Sequence, residues 1–159
     1  MARTMKERPL WWVTRDGDLD CLELYERHYS ARRYADGRKR RLFVGPGSKL
    51  VLRTERSDAL FVWREFIDDS GQEGINCAVF RNESPWRSSL LIRQADAIAD
   101  RLWPGRRHYT FVDRQKVAST NPGFCFLCAG WRRCGRTMSG LLVLERKPVA
   151  RRSEAIRPG

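Results

Sequence analysis

One stretch of the chain, residues 75–80, limits the possible folds more than any other. Its side chains alternate so that both faces of a strand formed here are largely apolar. A strand of this kind belongs in the interior of a sheet that is covered on both sides. Because 159 residues provide for one domain with one core, we expect a single domain built around this central strand.

The residues before the central strand predict several short elements. Asp18 is placed to cap a first helix, in which apolar residues recur at helical spacing. A Gly-Pro-Gly turn at 45–47 separates two short apolar runs and predicts a hairpin. The elements predicted here are strand 9–13, helix 19–27, hairpin strands 41–44 and 49–53, and strand 59–66.

The residues after the central strand predict a helix and further short elements. Apolar residues from Leu91 to Leu102 follow helical 4-3-4 spacing, on a helix that Ser88 or Ser89 would cap. Beyond it we predict strand 108–112, a short helix or turn within 121–131, and a closing strand at 140–145. The predicted fold is therefore α+β, with a mixed central sheet flanked by helices. The domain would span 9–146, between a loose N-terminus at 1–8 and a basic, disordered tail at 147–159.

The chain is strongly basic, with 31 Lys and Arg residues against 19 Asp and Glu residues and a net charge of +12. Most of these basic residues are Arg, whose planar guanidinium meets phosphate oxygens in pairs. We therefore expect a polyanionic partner, above all DNA, although general basicity for solubility is the alternative. Trp86, in a polar loop, is a candidate for stacking on an extruded base. The exposed basic loop 31–41 is the predicted DNA contact, through Arg32, Arg33, Arg38, Lys39 and Arg40.

Cysteine usage and hydropathy point to the cytoplasm. No apolar stretch is long enough to span a membrane, and residues 1–15 lack the apolar centre of a signal peptide. Five Cys residues, an odd number, favour reduced thiols over a disulfide framework. Cys125 and Cys128 form a C-x-x-C pair that suggests zinc, but the pair lies in an apolar run where thiols pack as small apolar side chains. We therefore expect no metal site and no membrane contact.

Three short motifs carry a resemblance to known acyltransferases. They are His28-Tyr29-Ser30, Phe80-Arg81-Asn82-Glu83-Ser84, and Asn121-Pro122-Gly123 leading to Ala129-Gly130-Trp131. The order strand, polar loop, helix, strand resembles the second half of a GNAT acyltransferase. The motifs are similar to the phage acetyltransferase-like proteins that include the Mom DNA-modification family.

This resemblance implies a GNAT-like fold and a chemistry. The donor would be acetyl-CoA or another acyl-CoA, and the acceptor an amine on a base or hypermodified base of DNA. A phage-encoded member would act in the cytoplasm of the infected bacterial host.

The loop 81–89 is the predicted cofactor site. It leads from the central strand into a helix N-terminus, where free backbone N–H groups and the helix dipole favour an anion. Ordinary GNAT enzymes have glycines in this loop, whereas this chain has none. The donors to the CoA pyrophosphate would then be Arg81, Arg87, Ser88 and Ser89. The resemblance adds Asn121 to this site. The alternative to a cofactor site is that the loop only caps the helix.

Four residues are candidates for catalysis. Glu83, just past the central strand, could take a proton from the attacking amine, or it could form an ion pair with Arg81 or Arg87. His28 beside the Tyr29 hydroxyl suits proton transfer near pH 7, although a histidine there is often a helix cap or surface residue. Asp113 follows strand 108–112 and would bind substrate or form a local turn. The resemblance places Ser30 with the DNA.

Two other functions fit the same sequence. A non-catalytic nucleic-acid-binding module would keep the scaffold and the basic surface without the glycine-rich cofactor loop. The second of these functions is N-acetylation of small amines or proteins. The net charge of +12 disfavours it, because cationic acceptors would be repelled.

Overall fold

The computed structural model describes residues 8–28, 41–67, 70–116 and 122–149. Within these ranges the chain forms a seven-stranded sheet and three helices. In chain order the elements are β1 (Trp11–Thr14), α1 (Leu19–Glu26), β2 (Ser48–Thr54), β3 (Ala59–Glu65), β4 (Ile75–Asn82), α2 (Ser88–Leu102), β5 (His108–Val112), α3 (Phe124–Cys128), β6 (Arg132–Arg136) and β7 (Leu142–Arg146). Of the predicted N-terminal segment 1–8 and the predicted tail 147–159, residues 1–7 and 150–159 lie outside the described residues.

The sheet is mixed, and its strand order is β1-β2-β3-β4-β5-β7-β6. Only β4 and β5 are parallel, and α2 provides the crossover that a parallel pair requires. All other neighbouring strands are antiparallel. The prediction of an α+β fold with a mixed central sheet flanked by helices is confirmed.

The helices cover opposite faces of the sheet, and β3 shows why. Its five residues from Ala59 to Trp63 are fully buried, with successive side chains pointing to opposite faces. Leu60 and Val62 pack with α1, whereas Phe61 and Trp63 pack with α2. The predicted Asp18 cap of α1 is confirmed, because its side chain accepts hydrogen bonds from the N–H groups of Asp20 and Cys21.

The predicted strand at 41–44 is wrong, and with it the hairpin. The backbone N–H groups of Phe43 and Val44 donate to the Asp16 carboxylate at 2.8 and 3.2 Å. Lys49 adds an ion pair to the same carboxylate at 3.7 Å. A side chain from before α1 therefore satisfies backbone groups that the hairpin would have used.

Other errors concern helix α2 and the end of the chain. The N-cap of α2 is Arg87, so neither Ser88 nor Ser89 caps it. Leu102, expected on the apolar face, is more than half exposed. Strand β6 was not predicted, because all five of its residues are exposed and it lacks the apolar alternation that marks a strand.

A buried polar network ties α2 to the second half of the sheet. Asp96 is almost fully buried, and its two oxygens bind His108 Nδ1 at 2.7 Å and Trp131 Nε1 at 2.9 Å. One turn later, Asp100 accepts two hydrogen bonds of 2.9 Å from the guanidinium of Arg146. One face of α2 is thus fixed to β5, to β7 and to the residue before β6.

Replacing Asp96 should destabilise the fold strongly. Asp96→Asn keeps one acceptor oxygen for the Trp131 indole, but its NH2 group then faces His108 Nδ1. Either two donors oppose each other, or the ring proton moves to Nε2, which is buried without a hydrogen-bond partner among the described residues. We expect the free energy of unfolding to fall by about 2 to 5 kcal/mol in urea denaturation. The control is Asp20→Asn, at an exposed aspartate in the first turn of α1, which should change it by less than about 0.5 kcal/mol. Equal effects of the two substitutions would contradict this role of Asp96.

Candidate functional site

The sheet opens between its two parallel strands. β4 and β5 pair at Ile75↔His108, Asn76↔Tyr109 and Cys77↔Thr110, and no further pair joins them in the described chain. β4 nevertheless continues through residues 78–82, and β5 through 111–112. Each strand therefore presents an open edge at this end of the sheet.

A bulge in β4 coincides with the point where the strands part. On the side of β3 the pairing register skips Ala78, which is therefore an extra residue in β4. An extra residue bends its strand and increases the local twist. The Thr110 hydroxyl donates to the Cys77 carbonyl at 2.9 Å, at the last pair before the opening. The bulge accounts physically for the divergence of β4 from β5.

Aromatic packing closes one face of the opening. Phe80 of β4 contacts Phe126 of α3, with ring centroids 5.9 Å apart. α3 can approach the sheet because Gly123, with φ of +80°, has no side chain. A Cβ at this position would lie 2.5 Å from Leu144 Cδ1 and 3.6 Å from Val112 Cγ2. This lack of space for a side chain explains why the Asn-Pro-Gly motif has glycine at position 123.

Side-chain hydrogen bonds from Asn82 hold the loop that follows β4. Its Oδ1 accepts from the N–H and the hydroxyl of Ser84, at 2.9 and 2.5 Å. Its Nδ2 donates to the Trp86 carbonyl at 2.8 Å and to the Ser88 hydroxyl at 2.9 Å. The Trp86 N–H in turn donates to the Ser84 hydroxyl at 3.2 Å. A loop without glycine is thus shaped by asparagine and serine.

The first turn of α2 has free backbone donors at the end of this loop. Arg87, the N-cap residue, is exposed and makes no side-chain capping bond. The first turn also contains no acidic residue, so its N–H groups retain their partial positive charge. Ser88 and Ser89 begin the helix and are half-buried. The geometry suits an anion at this helix end.

Glu83 is held by two guanidinium groups. Arg27, just after α1, binds both of its carboxylate oxygens at 2.7 and 2.9 Å, and Arg81 binds one at 3.0 Å. These bonds, first that from Arg27, lower the pKa of the Glu83 carboxyl. The arrangement matches the ion-pair alternative, with Arg27 in addition to Arg81. The role of Glu83 as a base stays a prediction.

His28 lies after α1, against the last part of β4. Its backbone N–H donates to the Tyr25 carbonyl at 2.8 Å, and its ring interacts with the backbone of Phe80. Burial of the ring, and after it the charge of Arg81, lower the pKa of the His28 imidazole from 6.5 to about 4. The ring is therefore neutral at pH 7. Its part in proton transfer stays a prediction.

The predicted site residues fall into three groups by position. Asp113 directly follows β5, and its carboxylate accepts a hydrogen bond of 3.0 Å from the Gln115 N–H, as a local turn former does. The structure brings His28, Arg81, Glu83, Trp86, Arg87, Ser88 and Ser89 to the end of β4 and the loop after it. The other predicted residues lie outside the described chain: Tyr29, Ser30, Arg32, Arg33, Arg38, Lys39, Arg40 and Asn121.

The cysteines were expected to pack as apolar side chains. Cys125 is half-buried against the core and fits this expectation, whereas Cys128 is exposed and does not. Burial raises the pKa of the Cys125 thiol. Within the described ranges, no group of three or more His, Cys, Asp or Glu side chains is placed to hold a metal ion.

Two residues with clear structural roles at this site were assigned none from the sequence. Asn82, which fixes the loop, could have been recognised from the Asn-x-Ser spacing that allows a side-chain turn. Arg27 had no local signal, because its partner Glu83 lies 56 residues further along the chain.

Comparisons of the chain with protein-family models, with curated proteins and with solved structures find no match. Among the described helices, none has the length and apolarity needed to cross a membrane.

The pKa of His28 predicts a specific dependence of stability on pH. Unfolded His28 gains a proton below about pH 6.5, whereas the folded ring stays neutral down to about pH 4. Its contribution to stability is therefore present above pH 6.5 and is lost as the pH falls. Between pH 7 and pH 5, we expect the free energy of unfolding of the wild type to fall by about 2 kcal/mol more than that of His28→Gln, as measured by urea denaturation.

An NMR titration provides an independent check of this pKa. The chain has two histidines, so the resonance that disappears in His28→Gln identifies the ring. A titration midpoint near 6.5 for that resonance would contradict the predicted burial of His28.

Proposed function

We propose that this protein is a GNAT-like acyltransferase that transfers an acyl group from acetyl-CoA or another acyl-CoA to an amine on a DNA base. The observation that carries the proposal is the opening between β4 and β5, next to the N-terminus of α2. The element order and the single parallel pair support the GNAT-like fold that the resemblance implied.

The open edge of β4 suits an extended donor that contains amides. Backbone groups at a strand edge pair readily with an extended segment that brings its own N–H and C=O groups. The arm of coenzyme A has two amides and could lie along residues 78–82. Backbone N–H groups at this edge would then polarise the thioester carbonyl.

The N-terminus of α2 would hold the diphosphate of the donor. Free N–H groups, the helix dipole and the exposed guanidinium of Arg87 all favour an anion there. The Ser88 hydroxyl already accepts a hydrogen bond from Asn82, so its oxygen is oriented and its own hydrogen remains to be donated.

Catalysis would depend mainly on positioning. The amine nitrogen attacks the thioester carbonyl, the C–S bond breaks, and the proton lost by nitrogen passes to the departing thiolate or to a nearby base. The amino group of a nucleobase is neutral at pH 7, so no strong base is needed before attack. Neutral His28 fits a late proton acceptor better than Glu83, whose oxygens are engaged by arginines.

DNA as the acceptor is supported by charge. The net charge is +12, and exposed arginines occur on several elements. One of these elements, the edge strand β6, carries three exposed arginines: Arg132, Arg133 and Arg136. Such a surface attracts a polyphosphate chain and repels cationic amines.

Titration of the purified protein with acetyl-CoA tests the donor site, with Arg87→Glu as the variant. A carboxylate at the N-cap should leave α2 intact or stabilise it, but it should repel the diphosphate. We expect the dissociation constant measured by calorimetry to rise at least about tenfold, a loss of about 1.4 kcal/mol. Acyl transfer would be read by mass spectrometry of nucleosides from treated DNA.

The matched control is Arg101→Glu, which makes the same change of charge in the last turn of α2. Arg101 is exposed and lies about 20 Å from the N-cap along the helix. Equal weakening by both variants, or no binding of acetyl-CoA to the wild type at millimolar concentration, would refute the acyl-donor site.

A non-catalytic DNA-binding module is the second candidate. One observation favours it: the N–H groups of Ser84 and Trp86 are already bound by side chains of their own loop. Those groups are therefore not free for a phosphate. Binding of DNA without binding of any acyl-CoA would support this candidate.

A further inference from the structure

A cavity of about 650 Å³ lies at the same end of the sheet as the candidate site. Its walls come from the start of β1, the turn between β2 and β3, and the loop before α2. It lies on the β3 side of β4, whereas the opening described above lies on the β5 side. The volume is within the range of small-ligand sites.

Two exposed tryptophans line this cavity. Trp12 is 54% exposed and Trp86 is 42% exposed. By contrast Trp11, Trp63 and Trp131 are buried, and each donates its indole N–H to an acceptor in the protein. In the described part of the chain, the indole N–H groups of Trp12 and Trp86 make no such bond. Tryptophan side chains are mostly buried in proteins, so two exposed indoles that line one cavity are unusual.

Both tryptophans stand on a fixed backbone. Trp12 belongs to β1 and lies opposite Arg53 in the ladder with β2. Trp86 follows Pro85, and its N–H and carbonyl are bound by Ser84 and Asn82. The backbone that carries the two rings is therefore fixed before any ligand arrives, which lowers the entropy lost on binding.

One arginine of the cavity wall has no carboxylate partner. Arg56 is exposed and makes no ion pair with any described residue. The two carboxylates of the same wall are engaged, since Glu55 pairs with Arg8 and Asp58 accepts a hydrogen bond from the Thr54 hydroxyl. Flat apolar rings beside the guanidinium of Arg56 match a ligand that is both aromatic and anionic.

We propose that this cavity binds one nucleotide of single-stranded or extrahelical DNA, with its base stacked on Trp12 or Trp86 and an adjoining phosphate on Arg56. Stacking requires an unpaired base, because a base inside a duplex has both faces covered. This inference takes from the proposed function only the identity of the polymer as DNA. It requires no acyl donor.

Fluorescence anisotropy with a labelled single strand of roughly 12 nucleotides tests this proposal, with the matching duplex as comparison. Trp12→Ala and Trp86→Ala should each weaken binding of the single strand at least about tenfold. The slope of log K against log salt concentration should stay unchanged, because stacking releases no counterions. Arg56→Ala should instead reduce that slope by about 0.7.

Phe124→Ala is the matched control, because Phe124 is also an exposed aromatic but lies outside the cavity. Circular dichroism and thermal melting verify folding of each variant, and Trp12→Phe should restore most of the affinity. Unchanged affinity in both tryptophan variants, as expected if a peptide occupies the cavity, would overturn the proposal. An equal loss in Phe124→Ala would overturn it too.

Measuring acetyl-CoA binding together with single-strand binding separates this proposal from the proposed function. If the wild type binds no acetyl-CoA but the tryptophan variants lose the single strand, the acyltransferase fails and the nucleotide site stands. If acetyl-CoA binds and the tryptophan variants keep full affinity for the single strand, the nucleotide site alone fails.

Discussion

The rest of the structure depends on the buried carboxylate of Asp96. It binds His108 of β5 and Trp131 before β6, while Asp100 one turn later binds Arg146 of β7. α2 has 15 residues and is therefore a rigid body about 22 Å long. Anchoring its second half also positions its N-terminus beside the end of β4. Because a buried carboxylate without its donors is costly, α2 has one favourable docking position.

The opening in the sheet is stable because the ladders on either side of it remain intact. β4 pairs with β3 from end to end except at Ala78, and β5 pairs along its full length with β7. The bulge at Ala78 and the contact of Phe80 with Phe126 then keep the free ends of β4 and β5 apart. Backbone groups at this gap need partners from solvent or from a ligand. The fold thus creates an unpaired strand edge without weakening the core.

Elements with a local sequence signal were predictable, whereas pairings between distant residues were not. The apolar spacing of α2 and the Asp18 cap of α1 both depend on neighbours in sequence. The failed hairpin depended on Asp16, whose carboxylate binds a backbone N–H 27 residues away. Trp11 and Trp12 are chemically identical neighbours, and only the pairing of β1 with β2 decides which one is buried. For this reason the cavity proposed to bind a nucleotide had no sequence signal beyond Trp86.

Asn82 connects the two proposed sites physically. Its amide holds the Trp86 carbonyl on the side of the cavity and the Ser88 hydroxyl at the start of α2. Because these side-chain hydrogen bonds fix the loop before any ligand binds, neither ligand has to order it for the other. A transferase gains from this arrangement, because acceptor and donor held on one fixed loop react as neighbours rather than by chance encounter.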